Sequence, residues 1–289
     1  MRGVASVDGR AGWYGLLRRL LRSPQGFAGC AIVLVLVLAC TFGPLLAPAD
    51  PEKISFAGRF HAPGIGFWLG GDQFGRDILS RILIGARATL PAAIFATLLG
   101  TSVGAVVGVA SAYVGGRIDE AIMRTLDAVM AIPGLLLALL VVSTLGKGTV
   151  DATLAIAISF APGMARITRS VALAVRRQDY VSAAIARGEG GGWIVLREML
   201  PNVIAPVIVE TTLRVAFAVM LFATLSFLGL GAQPPASEWG LMVAEARAYM
   251  HQAPWMIAAP GCAIALTAIG FNLLGDGLRD ALNPRLGSR

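Results

Sequence analysis

Long apolar runs alternate with short polar stretches along the whole chain, with one irregular interval. The runs lie at about Phe27–Ala47, Ala88–Tyr113, Ile122–Leu145, Ala152–Val171, Val203–Leu230 and Trp255–Leu274. Each is near or above the ~20 residues that an α-helix needs to cross a bilayer. The pattern predicts an all-α, polytopic membrane protein with six transmembrane helices. It divides the chain into an N-terminal segment (1–26), a first helix (27–47), a polar segment (48–87), a core of five helices (88–280) and a tail (281–289).

Residues inside the runs refine the helices. Pro44, Pro48 and Pro51 are expected to break the first one. Ala96, Gly100, Gly104, Gly108 and Ala112 recur every four residues in the second. They form one smooth stripe where another helix backbone can approach closely. Pro133 lies inside the third run and Pro162-Gly163 inside the fourth, and each can kink its helix.

The irregular interval is Asp179–Asn202, where charge and glycine return between apolar runs. Asp179 can cap a short helix by accepting from its free N–H groups. Gly188 can end that helix in a left-handed turn. Trp193–Leu200 can form a second short helix, stopped by Pro201. A helix-turn-helix interrupting a membrane protein is a surface offered to a soluble partner.

Composition agrees with the pattern. Mean hydropathy is +0.73 and 14% of the 289 residues are charged, against ~25% in ordinary soluble domains. The net charge of +7 could suggest nucleic acid in a soluble protein. Here the positive-inside rule accounts for it. With the N-terminus inside, the inner loops collect Arg10, Arg18, Arg19, Arg22, Arg117, Arg124, Arg166, Arg169, Arg176, Arg177, Arg187, Arg197, Arg279, Arg285 and Arg289. The outer segments keep Lys53, Arg59, Arg76, Arg81, Arg87, Lys147 and Arg247. Both termini and the Asp179–Asn202 loop are therefore expected in the cytoplasm. Ala47-Pro48-Ala49 mimics a signal cleavage site, but the run before it exceeds a signal's ~7–15 apolar residues, so it reads as a retained helix. Cys30, Cys40 and Cys262 fall in apolar segments and suggest neither disulfides nor metal ligands.

No motif points to chemistry on this chain. Gly146-Lys147-Gly148-Thr149 is only superficially P-loop-like, because Val141 stands where the first Gly belongs and Gly148 follows the Lys. Four polar residues in or beside the runs are candidates for the path or a gate. Glu210 and Arg214 are four apart, with Glu first, and suit a helix ion pair. Asp127 could face a pore or an interface. Asn272, with Asp276, could contact a neighbour or cap the last helix.

The interval Asp179–Asn202 resembles the "EAA loop" of permease subunits in ABC importers. Ala183-Ala184, Gly188 and Leu200-Pro201 keep that motif's spacing, while Ser182 replaces the Glu that names it and Glu198 stands where many members have His. Four more blocks are similar to dipeptide, oligopeptide and nickel importer permeases of the C type. They are Leu69–Arg81 (with Gly71 for a usual Thr), Tyr113–Asp119 with Asp127 and Ile132-Pro133, Leu225–Gly231 through Glu238-Trp239-Gly240, and Phe271–Asp280 with Pro284-Arg285. Phe222, just before the third block, stands where many have Glu.

The resemblance implies an ABC-importer permease fold in a bacterial-type cytoplasmic (inner) membrane. The implied role is a non-catalytic subunit forming half of a path for a dipeptide- or oligopeptide-like solute. Nickel chelates, glutathione or other small conjugates are the alternative solutes, and an ion-coupled secondary transporter is the alternative of a different class. The implied partners are a second related permease, cytoplasmic ATP-binding subunits, an extracytoplasmic solute-binding protein and membrane lipid, with no nucleic acid. ATP and Mg would sit on the partner ATPase, leaving no cofactor here. Asp179, Ser182, Ala183, Ala184, Gly188, Leu200 and Pro201 would form the coupling loop, with Ala183 and Ala184 letting the partner approach closely.

Overall fold

The computed structural model describes residues 9–282, with side chains from Tyr14 onward. Pro284, Arg285, Arg289 and the Arg10 side chain lie outside the described residues. Among those described there is no strand. The helices are α1 (Gly9–Arg22), α2 (Pro24–Leu46), α3 (Ile78–Val114), α4 (Gly116–Met130), α5 (Gly134–Leu145), α6 (Thr149–Arg176), α7 (Asp179–Ala186), α8 (Gly191–Trp193), α9 (Leu200–Phe227), α10 (Trp239–Ala246) and α11 (Trp255–Leu282). Five helical stretches are long and apolar enough to cross a membrane: α2, α3, α6, Gly191–Phe227 and α11. The pair α4 and α5, bent by 89°, brings the number to six when it is counted as one broken span.

That bend corrects the third span, expected as one helix. Pro133 has no N–H and disfavours helical backbone at Ile132. The helix stops at Met130, Pro133 takes an extended ψ of 135°, and α5 restarts at Gly134. Pro44, by contrast, does not break α2, which continues to Leu46. A proline at position 44 frees the carbonyl of Cys40, and Arg87 fills the vacancy. Its Nε donates to the Cys40 oxygen at 2.7 Å and its Nη2 to the Thr41 oxygen at 2.6 Å.

Arg87 can do this because α3 starts well before the expected Ala88. The Asp77 carboxylate accepts from the Ser80 N–H at 2.7 Å and caps α3 at Ile78. Residues 78–87, expected in the polar segment, are therefore helical.

The core is built on α3 and α6. The expected stripe of Ala96, Gly100, Gly104, Gly108 and Ala112 is wholly buried. A Cβ at Gly100, Gly104 or Gly108 would run into the carbonyl oxygens of Ala157, Ala161 and Ala165 in turn. The two series rise together, so the helices run parallel at backbone contact. Around them α2 runs antiparallel to α11, with Gly29 against Leu274 and Gly26 against Gly277. These contacts put the start of α2 and the ends of α3, α6 and α11 at one end of the bundle, with the Asp179–Asn202 loop. Residues 47–77 and 228–254 lie at the other.

Candidate functional site

The loop is a small folded unit. α7 starts at Asp179, but the capping position is Gln178 and no side chain caps it. Asp179 instead sits in the first turn, where a negative charge suits the helix dipole. The far end closes through Gly188, at φ +79°. The N–H of Gly188 bonds to Ile185 at 3.0 Å and that of Glu189 to Ala184 at 3.3 Å. This is a Schellman closure, which needs a left-handed residue at this position.

Beyond the turn the chain does not form a separate short helix ended by Pro201. It runs from Gly191 into α9 as one helix, and Pro201 sits in the first turn of α9. The missing N–H of Pro201 is absorbed by a π-helical turn at Ile194–Met199, where the N–H of Leu200 bonds five residues back to Val195. Leu200 is half-buried and Pro201 exposed.

Anchoring of the unit falls to an apolar cluster. Val181, Ala184, Ile194, Met199 and Val203 pack on Val109 and Ala112 of α3 and Ala172 of α6. Ala184 is completely buried within this chain. Its spacing suits a partner contact, but its packing is against the chain's own α3 and α6. The face left outward carries Ser182, Ala183, Ile185 and Ala186, all exposed. Tyr180 lies beside the π-helical turn. Burial, and then the Glu198 carboxylate, pushes its hydroxyl pKa up.

Polar links tie the same end together. Arg176 donates to the Ala112 carbonyl at 2.8 Å. Arg169 holds both oxygens of the Asp119 carboxylate, and the Ser111 hydroxyl donates to it as well. A two-point guanidinium–carboxylate contact fixes orientation as well as distance. It pins the start of α4 to α3 and α6.

The four candidate path residues separate. Glu210 and Arg214 pair at 3.2 Å and together line a cavity of about 540 Å³ between α5, α6 and α9. Asp127 is half-exposed and meets Arg166 at 3.4 Å near the bend. Asn272 is exposed and does not line that cavity.

Sequence reasoning missed the polar cluster at the opposite end. Asp72, Arg76, Arg81 and Glu245 form a closed ion network. Arg81 reaches Asp72 at 2.8 Å and Glu245 at 3.1 Å, and Arg76 reaches Glu245 at 3.0 Å. Arg81 is only 2% exposed. Beside the network, buried Glu238 caps α10 by accepting from Gly240 and Leu241 at 2.9 and 2.8 Å. Trp239 and Trp255 donate across to the carbonyls of Ile82 and Gly71. The segment before α3 is thus locked to the segment between α9 and α11. The hint in the sequence is charge: both segments carry charged residues and lie on the same predicted side.

Comparison with known proteins places these features in context. Residues 100–288 match the family model described as the binding-protein-dependent transport system inner membrane component. Residues 13–63 match the N-terminal TM domain of oligopeptide transport permease C. The chain is 40% identical to the glutathione transport system permease protein GsiD of Escherichia coli O6:K15:H31 over 96% of its length and 92% of that protein. It is 41% identical to GsiD of Pectobacterium atrosepticum, over 96% and 93% of the two chains. It is 38% identical to the dipeptide transport system permease protein DppC of Alkalihalophilus pseudofirmus, over 96% and 91%.

Proposed function

Because the chain belongs to the family of binding-protein-dependent transport system inner membrane components, we propose that it forms half of the path through an ATP-driven importer for a peptide-like solute. Dipeptides and glutathione, named for its relatives, are the solutes of first choice. Family membership removes the ion-coupled alternative. The other half of the path belongs to a second related permease, and a cytoplasmic ATPase carries the ATP and Mg. An extracytoplasmic binding protein delivers the solute. The chain itself does no covalent chemistry and holds no cofactor. Its termini and the Asp179–Asn202 loop face the cytoplasm.

One observation carries this reading: α7 shows an exposed face while its buried face is fixed to α3 and α6. A partner that moves α7 therefore moves the core. With α3 and α6 in backbone contact along the glycine stripe, the response is a rigid-body shift of packed helices. Two experiments test it. Reporter fusions after Asp50 and Gln233 should report outside, and a fusion after Gly190 inside. Purified chain should neither hydrolyse ATP nor carry solute, whereas its assembly with the second permease, the ATPase and the binding protein should do both, with hydrolysis on the ATPase. ATP hydrolysis by the chain alone would refute the reading, as would an outside signal at Gly190.

A further inference from the structure

The cavity between α5, α6 and α9 holds one charged pair in a mostly apolar lining, and the hydroxyls of its Ser159 and Thr224 are bonded to the carbonyls of Ala155 and Met220. Arg214 and Glu210 sit one turn apart on α9, and their closest approach, Nη2 to Oε1, is 3.2 Å. A guanidinium has five N–H donors. Nε of Arg214 is buried and, among the described residues, has no hydrogen-bond partner. The guanidinium carbon lies 5.5 Å from the centre of the Phe160 ring. Gly163 makes room beside it: a Cβ there would stand 3.2 Å from Nη2.

The broken span opens on the same space. Gly134 and Leu135, the first residues of α5, also line the cavity. The first N–H groups of a helix have no acceptor within it. Within a membrane, interrupted backbone is tolerated where it is packed in protein or lines a watery cavity. Contacts set the level: Gly275 packs on Leu213, and Gly29, near the start of α2, packs on Leu274. The charged pair is therefore at the loop-side end of the cavity, which extends along α9 to Thr224, near the opposite end of that helix.

A lone anion entering this space would pair with Arg214 and strand Glu210, and a lone cation would do the reverse. An unpaired charge away from water is strongly unfavourable. A molecule carrying both charges exchanges partners with the pair and strands neither. We propose that the Arg214–Glu210 pair is a receiving site for zwitterionic, peptide-like solutes, with Arg214 binding the free carboxylate and Glu210 the ammonium group. The inference rests on the importer reading above and adds where on the path the solute is held and by which charges.

Labelling of a cysteine in the cavity wall tests it in the assembled complex. Ser159 lines the cavity. Ser159→Cys is combined with Cys30→Ser, Cys40→Ser and Cys262→Ser, and the rate of maleimide labelling is measured. Dialanine should slow labelling about tenfold at roughly ten times its dissociation constant. Dialanine amide and N-acetyl-dialanine should protect far less, and adding Arg214→Gln should abolish the preference for the free carboxylate. Equal protection by all three probes overturns the proposal, as does none by dialanine or an unchanged preference in Arg214→Gln. Uptake of dialanine by the same complex in proteoliposomes reports on the importer reading separately. Uptake without protection overturns the site and leaves that reading standing, while absence of both overturns both. Protection without uptake supports the site and counts against dialanine as cargo.

Discussion

Gly191 lies against the ring of Tyr113, so closely that a Cβ on it would come within 2.7 Å of the ring. The contact joins the turn of the interfacial loop to the last turn of α3. Gly191→Val should press on that ring, at a cost of about 1–3 kcal/mol by analogy with overpacked cores. Tyr113→Ala in the same chain should recover part of the loss. Thermal unfolding of the purified complex and retention of the ATPase measure both effects. Equal destabilisation in the single and double variants would show that the two residues do not communicate.

Gly188 carries the left-handed turn, and a Cβ there would meet open space. Its tolerance is therefore set by backbone conformation alone. Gly188→Val should cost about 1–2 kcal/mol locally, while Gly188→Asn should be milder. The membrane level of the protein should hold in both, and solute-stimulated ATP hydrolysis should fall more in Val than in Asn. The reverse order would refute the turn's role.

At the opposite end, removing one charge from a buried network leaves another unpaired, and costs of about 3–5 kcal/mol are typical. Arg81→Met and Glu245→Leu should each destabilise strongly. Together they leave Asp72 paired with Arg76, so the double variant should lose less than the sum. A double-mutant cycle on unfolding midpoints reads the difference. Simple additivity would show that the two residues do not interact.

Gly104→Leu inserts a side chain where α3 meets the backbone of α6. The parallel pair cannot close around it. The variant is expected to lose monodisperse protein in detergent gel filtration, whereas Val103→Leu, at an exposed position of the same helix, should behave as wild type.

Local rules made much of this molecule legible. The apolar runs marked the spans, the four-residue stripe marked the closest helix pair, and the spacing of Glu210 and Arg214 marked their ion pair. What stayed hidden depends on partners distant in sequence. Pro44 and Pro133 are chemically alike, yet only Pro133 breaks its helix. Arg87, more than forty residues away, supplies the donor that Pro44 lacks. The Arg81–Glu245 contact spans 164 positions, and no periodicity reports that distance. Ala184 kept its motif spacing, but whether a small residue faces a partner or its own core is a matter of packing. Pro201 looked like a stop signal because a five-residue hydrogen bond leaves no mark in the sequence.

With Leu200 bonded five residues back, the stretch from Gly191 into α9 contains one residue more than a regular α-helix of equal length. Each residue of a regular α-helix turns the chain by about 100°, and the wide turn uses one more residue for the same rotation. Deleting one residue between Ile194 and Met199 would let that turn close into regular helix, and Ser182 and Ala183 would keep their heading. Deleting one residue from the regular part of α9 instead would swing everything on the α7 side by roughly 100° about the helix axis. The wide turn is thus a spare link: a place where this helix can lose a residue without changing where the loop points.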